Sequence, residues 1–511
     1  MPAHRDRRDF IKTVGVAALT AVNASAAEAP RDGLPNIVYI LADDLGYGDV
    51  SCFNPESRIR TPNLDRLAAQ GRTFTDAHAG AAVCSPTRYG ILTGRYSWRT
   101  RMKSGVLWGY SRSLIPANRM TVASLLKRHN YQTACIGKWH LGLDWTLRDK
   151  RVPADTPAEL GDNVDFAGPI AGGPNSLGFD YFFGISASLD MAPYVYLQNG
   201  RVTALPDRET EQKVPQAQFW RKGPTGADFR HEEVLPKLTE KAVGFIRQNA
   251  QRRFFLYLPL AAPHVPVLPL PPFRGKSGTT LYGDFVLQVD DTVRQVLDAL
   301  KEQGVENNTL VVMTSDNGFA PPAGRDELVK MGHFPSAQFR GSKADIFEGG
   351  HRIPFIARWP GHIPANTSCP ETICLTDLMA TCAGLVGEKL PPGAGEDSFN
   401  VLPALLGQNY SAPLREATVH QSMDGSLAIR QGRWKLEMCP GSGGWSDPKP
   451  GGEETKKLPP LQLYDLTNDP AETRNLCDAH PEVVRKLRSL LERYIRNGRS
   501  TPGPAQPAVD R

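Results

Sequence analysis

The chain has 511 residues, 40% of them hydrophobic and 22% charged, with 43 prolines, 47 glycines and a formal net charge of +5. That is the make-up of a large globular protein with many turns, and it excludes wholesale disorder. Residues 1–26 carry +2 of the charge (Arg5, Arg7, Arg8 and Lys12 against Asp6 and Asp9), and the remainder is spread without a basic run. Nucleic acid is therefore excluded as the natural partner, while a small anionic substrate held by a few Arg and Lys side chains fits.

In chain order, Arg7-Arg8-Asp9-Phe10-Ile11-Lys12 precedes a short apolar stretch, Thr13 to Val22, and then Ala24-Ser25-Ala26-Ala27. A basic start, an apolar middle and a small-residue end read as an export signal over residues 1–26, and the paired arginines point to the twin-arginine export machinery. The expectation is a bacterial protein exported to the periplasm or beyond. It has no permanent membrane anchor, because no apolar stretch is long enough to span a bilayer.

Asn36 to Ala42 (Asn-Ile-Val-Tyr-Ile-Leu-Ala) is a continuous apolar run, predicting a strand buried on both faces. Thr61-Pro62-Asn63 predicts a helix through Ala69 with threonine as N-cap. Thr121 to His129 reads as a helix leading to a strand through Cys135-Ile136-Gly137. Phe254 to Leu260 is a further buried strand. Asp284 to Glu302 is an amphipathic helix with Phe285, Val289, Val293, Val296 and Leu300 on one face. Thr309 to Thr314 is another two-face-buried strand, and Ile353 to Ala357 one more. Asp144–Gly173 and Leu205–Gly226 read as long excursions. After about Ser411, short strands are expected at Ser426–Ile429, Trp434–Met438 and Leu461–Leu466, then a helix from Pro481 to Ile495 and a Pro-rich tail fraying after Arg499. Strands alternating with helices define an α/β fold with a largely parallel sheet flanked by helices, followed by a smaller C-terminal α+β domain.

Two of the buried strands end in oxygen-bearing pairs, Asp43-Asp44 and Asp316-Asn317. Ligand crevices of open α/β sheets lie outside the carboxyl ends of the strands, so both pairs belong on one rim. Three carboxylates and an amide converging there call for a cation, and all-oxygen ligation selects Ca²⁺, or Mg²⁺, over zinc. Lys138 and His140 flank Trp139 at another strand end, and alternation in an extended segment would turn both to the same side. Eight cysteines are present, at 52, 84, 135, 369, 374, 382, 439 and 477, with no Cys-x-x-Cys spacing. Disulfide pairing among them is left open, and with Cys84 committed to chemistry at least one of the other seven stays unpaired within the chain.

Cys84-Ser85-Pro86-Thr87-Arg88 followed by Ile91-Leu92-Thr93-Gly94-Arg95 resembles the sulfatase family (formylglycine-dependent, arylsulfatase A-like or N-acetylgalactosamine-6-sulfatase-like), within the alkaline-phosphatase-like superfamily. The family's second signature stands as Tyr131-Gln132-Thr133-Ala134-Cys135-Ile136-Gly137-Lys138-Trp139-His140, with Asn130 where family members usually have Gly. Asn tolerates a left-handed backbone better than other non-glycine residues. The resemblance runs from about Pro35 to Pro360 and recurs at Leu463-Tyr464-Asp465-Leu466 through Asp469-Pro470. It implies a catalytic domain over 35–410, a small α+β domain over 411–498 and a flexible tail over 499–511.

The resemblance also implies that Cys84 is oxidised to formylglycine by a cytoplasmic maturation enzyme, and that Cys84 joins Asp43, Asp44, Asp316 and Asn317 around the metal. One hydroxyl of the hydrated aldehyde attacks sulfur to give a covalent sulfo-enzyme, and the second expels sulfate. Arg88, one helical turn beyond Cys84, would hold the diol. Lys138 and Lys343, in Gly341-Ser342-Lys343, would bind sulfate oxygens. His140 would take a proton, His264 in Ala262-Pro263-His264 would meet the substrate oxygen, and Ser188 is a weaker match to a sulfate-contacting position. His333, Arg340, His351, Arg352, Trp108 and Asp190 lie near these motifs in sequence and are candidates only for lining the pocket. The expected activity is hydrolysis of sulfate esters on sulfated small molecules or glycans. A phosphate or phosphonate ester hydrolase on the same fold and a non-catalytic carbohydrate-binding relative are the alternatives.

Overall fold

The computed structural model describes residues 33–149, 163–214 and 217–507. The expected leader over residues 1–26 lies outside them. A ten-stranded mixed sheet forms the centre. Its five core strands are all parallel, in the spatial order Thr309–Ser315, Asn36–Asp43, Phe254–Pro263, Gln132–Lys138, Tyr181–Ile185. Antiparallel strands extend both edges, including Phe355–Arg358 beside Thr309–Ser315.

The apolar run at Asn36–Asp43 is continuous because each face of the sheet carries its own core. Ile37, Tyr39 and Leu41 face one, packed with Leu125, Leu126, Met379 and Leu385 from the helices Val122–Arg128 and Leu378–Val386. Val38, Ile40 and Ala42 face the other, with Leu238, Ile246, Val289 and Val293 from Val234–Asn249 and Leu281–Glu302. At about 25 cal/mol per Å² of apolar surface, this double burial is the main force flattening helices onto both faces.

Most expected elements are found to within a few residues, and the departures have local causes. Thr61 precedes the helix Pro62–Ala69 but does not cap it with its side chain. Its hydroxyl is engaged by Ser51, and the free amides of Asn63 and Leu64 are met by Asp290 from the long helix at 2.8–3.1 Å. The excursion at 205–226 is a two-stranded hairpin, Pro206–Val214 against Gln218–Gly226. Asn130 does take a left-handed backbone, φ 61°. The tail expected to fray after Arg499 is tied down as far as Pro507: Ser500 donates to Asp397 at 3.0 Å, Gln506 to the Asn497 carbonyl at 2.9 Å, and Arg95 to the Pro507 carbonyl at 3.0 Å. None of the eight cysteines is paired with another, so no disulfide staples the fold.

The smaller unit is a four-stranded antiparallel sheet, Thr418–Gln421, Leu427–Gln431, Trp434–Glu437 and Gln462–Asp465, covered by the helix Pro481–Arg496. A buried ionic seam joins it to the central sheet. Arg430 donates to both oxygens of Asp76 at 2.7 and 2.8 Å, Arg352 also pairs with Asp76, and Lys435 reaches Glu472 at 2.7 Å and the Ile346 carbonyl at 2.8 Å. His78 bonds Asp76 and approaches His351 at 3.1 Å, and His351 stacks on His420. His351 and Arg352 therefore belong to this seam and not to a substrate pocket. Arg340 likewise turns away, to the Glu472 carbonyl, and His333 bonds Asp49 at 2.7 Å.

Burial opposes ionisation of Asp76, but Arg352 and Arg430 hold its carboxyl well below the usual range. A carboxyl depressed in the folded state stabilises the fold above its ordinary pKa, and that contribution fades as pH falls through the folded value. Asp76→Asn, which strands two buried guanidinium groups, is expected to cost about 3–5 kcal/mol in chemical denaturation at neutral pH. The gap between variant and wild type should narrow on acidification.

Candidate active site

The carboxyl ends of the parallel strands deliver the site. Ala42 pairs with Ser315, so Asp43-Asp44 and Asp316-Asn317 emerge side by side, as expected, and the Asp316 amide donates to the Ala42 carbonyl at 3.1 Å. On the other side of Asn36–Asp43, the strand Phe254–Pro263 ends at His264. The next strand ends at Lys138. Gly137, at φ 143°, permits the close strand approach there: a Cβ would lie 1.8 Å from the Pro259 carbonyl oxygen. Extended alternation stops at Lys138, since His140 has a left-handed backbone at φ 55°. Asp44 (φ 65°) and Ala344 (φ 80°), which follows Lys343, are likewise non-glycine residues in this region. Backbone strain of this kind concentrates at sites the surrounding structure over-determines.

Cys84 opens the helix Cys84–Thr93, every residue of which is buried. Its Sγ lies 3.6 Å from Asp43 Oδ1. Arg88, one turn on, donates Nε and Nη2 to Asp316 Oδ2 at 3.0 and 2.7 Å and Nη1 to the Lys138 carbonyl at 2.8 Å. Lys138 Nζ meets Asp43 at 2.7 Å, Lys343 Nζ meets Asp44 at 2.7 Å, and His264 Nε2 stands 3.5 Å from Asp44. Asp43, Asp44, Asp316, Lys138, Lys343 and Arg88 are thus three buried carboxylates against three buried cations.

Electrostatics follow from that packing. Burial opposes ionisation of Asp43, yet the Lys138 ammonium and the Arg88 guanidinium hold it well below the ordinary range. Burial lifts Asp316 to about 6 against the pull of Arg88. Burial pushes the Cys84 thiol up to about 12, with Lys138 and Lys343 opposing. His140 and His264 are kept neutral, first by burial and then by neighbouring cations, His264 down to about 3.

His140 Nε2 donates to the Leu107 carbonyl at 2.7 Å, which leaves its Nδ1 as a lone pair, buried and without a partner. The Leu107 amide is in turn held by Ser85 Oγ at 3.1 Å, so the second residue of the Cys-x-Pro-x-Arg motif braces the histidine. Sequence reasoning missed Ser85 and Leu107 because only the fold brings them to His140. Ser188 is buried at the rim with an unpartnered hydroxyl.

The donor set suits a hard divalent cation. Asn317 Oδ1 is buried with no hydrogen-bond partner, while its Nδ2 donates to Asp44 Oδ1 at 2.7 Å. Ligand atoms of Asp43, Asp44, Cys84 and His264 all lie within 4.8 Å of one another. An orphaned amide oxygen among carboxylates is a polar group awaiting a partner.

This constellation on a parallel sheet defines a hydrolase of anionic esters, and the comparisons agree. The Sulfatase family profile matches residues 35–388, and the chain belongs to the sulfatase family, enzymes that hydrolyse sulfuric esters. It is 35% identical to an N-acetylgalactosamine-6-O-sulfatase of Bacteroides thetaiotaomicron over 94% of this chain and 97% of the relative. Human arylsulfatase A is 33% identical over 93% of this chain and 90% of its own. A solved structure from the metabolism of multiple glycosaminoglycans by Bacteroides thetaiotaomicron superposes with a TM-score of 0.77 at 36% identity, covering 90% of this chain and 99% of that one. Among the described residues no helix is long and apolar enough to cross a membrane.

A divalent cation at about 100 times its dissociation constant is expected to stabilise the fold by about 2.7 kcal/mol. Thermal denaturation should show a rise in Tm on adding the cation, its reversal by chelator, and a much smaller response in Asn317→Ala.

Proposed function

We propose that the chain hydrolyses sulfate esters of glycans, with 6-O-sulfated N-acetylgalactosamine as the unit it acts on, at Cys84 after oxidation to formylglycine. The observation that supports this best is the placing of Cys84 at a helix start amid Asp43, Arg88, Lys138 and Lys343, all within the buried rim of the sheet. The sugar is inferred from the relative named N-acetylgalactosamine-6-O-sulfatase, aligned over almost the whole chain.

Hydrated formylglycine supplies two hydroxyls on one carbon, one to attack sulfur and one whose deprotonation expels sulfate. Asp43, Asp44, Asp316, Asn317 and the side chain at position 84 would hold a calcium ion, which would supply positive charge where the nucleophile ionises. The chain's own groups do the rest. Lys138 and Lys343 present their ammonium groups to the sulfate oxygens, and Ser188 offers its free hydroxyl. His140 takes a proton on Nδ1, since Nε2 is committed to Leu107. His264, poised beside Asp44, serves the departing alcohol oxygen. Arg88 fixes Asp316 and the Lys138 carbonyl and so positions the helix start.

We extend the reading to the whole chain: an export leader over 1–26, a catalytic unit over 35–410 and a small α+β unit over 411–498. Maturation by a formylglycine-generating enzyme would then occur in the cytoplasm, before twin-arginine export of the folded protein.

Cys84→Ala is expected to lower kcat/KM on a sulfate ester by at least about 10³-fold with little change in Tm. The wild type should prefer a sulfate ester to its phosphate analogue. Preference for the phosphate would contradict the proposal.

A further inference from the structure

We infer that Asp190, braced by Arg221 against Trp108, forms a sugar-recognition subsite that accepts a ring hydroxyl of a singly sulfated unit and repels a second anion. This deepens the proposed sulfatase reading and rests on it.

The segment that carries Asp190 is fastened to the catalytic rim. It leaves the sheet at the carboxyl end of Tyr181–Ile185, beside the strand that ends at Lys138. The Trp139 amide donates to the Ile185 carbonyl at 3.0 Å and the His140 amide to the Ser186 carbonyl at 2.9 Å. Along this segment three polar atoms are buried and without a partner: Ser186 Oγ, Ser188 Oγ and Asp190 Oδ1. Asp190 is 4% exposed, and its charge acts on His264. With the backbone at 185–186 bonded to Trp139 and His140, and Arg221 lying over Trp108, it borders the catalytic rim.

The other half of Asp190 is fully committed. Arg221 pairs with Asp190 Oδ2 and also donates to the Asp190 carbonyl at 3.1 Å. Its guanidinium lies 5.0 Å over the ring of Trp108, the residue following Leu107, whose carbonyl holds His140. Arg221 comes from the hairpin Pro206–Val214/Gln218–Gly226, which is thereby joined to the pocket rim. One carboxylate oxygen is locked and the other is left pointing to no donor.

A buried carboxylate oxygen with no donor is costly, and such a group in a folded protein has a partner the protein alone does not supply. A sugar hydroxyl is such a partner. A sulfate or carboxylate group is not, since it offers no proton and adds negative charge next to Asp190. Lys138 and Lys343 collect one anion, and Asp190 screens its neighbourhood against another. Sites built to bond a substrate hydroxyl reject analogues that lack it far more strongly than apolar pockets do.

The test measures kcat/KM of wild type, Asp190→Ala and Asp190→Asn on N-acetylgalactosamine 6-sulfate, its 4,6-disulfate and 4-methylumbelliferyl sulfate. For Asp190→Ala the ratio of sugar to aryl sulfate should fall about tenfold or more. Asp190→Asn, which keeps the shape and an oxygen for Arg221 but puts an uncharged N–H donor in place of Oδ1, should narrow the preference for the monosulfate over the disulfate by a similar factor. Thermal denaturation of both variants establishes that they are folded, and the isosteric Asn variant carries the test if the Ala variant is not. Unchanged ratios in a folded variant, with the wild type active on these esters, would overturn this inference and leave the sulfatase reading intact. No turnover of any sulfate ester by fully matured wild type would overturn the underlying reading, and this inference with it.

Discussion

Three aspartates and three cations sharing one water-poor rim is the constraint on which the rest of the molecule depends. Asp43, Asp44 and Asp316 are fully buried and face Lys138, Lys343 and Arg88 at hydrogen-bonding distance. Each carboxylate alone would be expelled or protonated, and each cation alone would be uncompensated. Together they balance, but only if three strand ends, the Cys84 helix and the 341–344 loop meet within a few ångström. The double core satisfies that demand by holding the sheet rigidly from both faces.

The left-handed residues at the rim belong to the same account. Asp44 and His140 leave their strands with left-handed backbones, Asp44 to meet Lys343 and Asn317, His140 to meet the Leu107 carbonyl. The strain is borne by packing elsewhere, which is the usual arrangement where precise placement matters more than local comfort. Away from the rim, a second ionic seam around Asp76, Arg430 and Lys435 joins the small antiparallel sheet to the central one.

Much of this was legible in the residues alone, and for identifiable reasons. Strands buried on both faces leave unbroken apolar runs, and Asp43-Asp44 and Asp316-Asn317 end such runs, so their shared rim follows from parallel topology. Cys84 and Arg88 sit one turn apart on a helix, a spacing visible at once. What long-range folding decides was not legible. Asp290 capping a helix some 227 positions away carries no local signal. Nor does Arg221 bracing Asp190, or Ser85 reaching His140 through Leu107. His351 and Arg352 stand close to Lys343 in sequence but turn into the seam, because Asp76 and Glu348 pair with Arg352 there and His351 stacks on His420. The tail beyond Arg499 looked free because Pro-rich text has no periodicity, yet as far as Pro507 it is held by hydrogen bonds with Asp397, Asn497 and Arg95.

The central claim is that position 84 acts as an aldehyde within this charged rim. Treating the native, fully matured protein with a hydrazide probe and mapping the labelled peptide tests it most directly. The account predicts a single labelled residue at position 84. An unlabelled peptide carrying an intact Cys84 thiol in protein that turns over sulfate esters would contradict it.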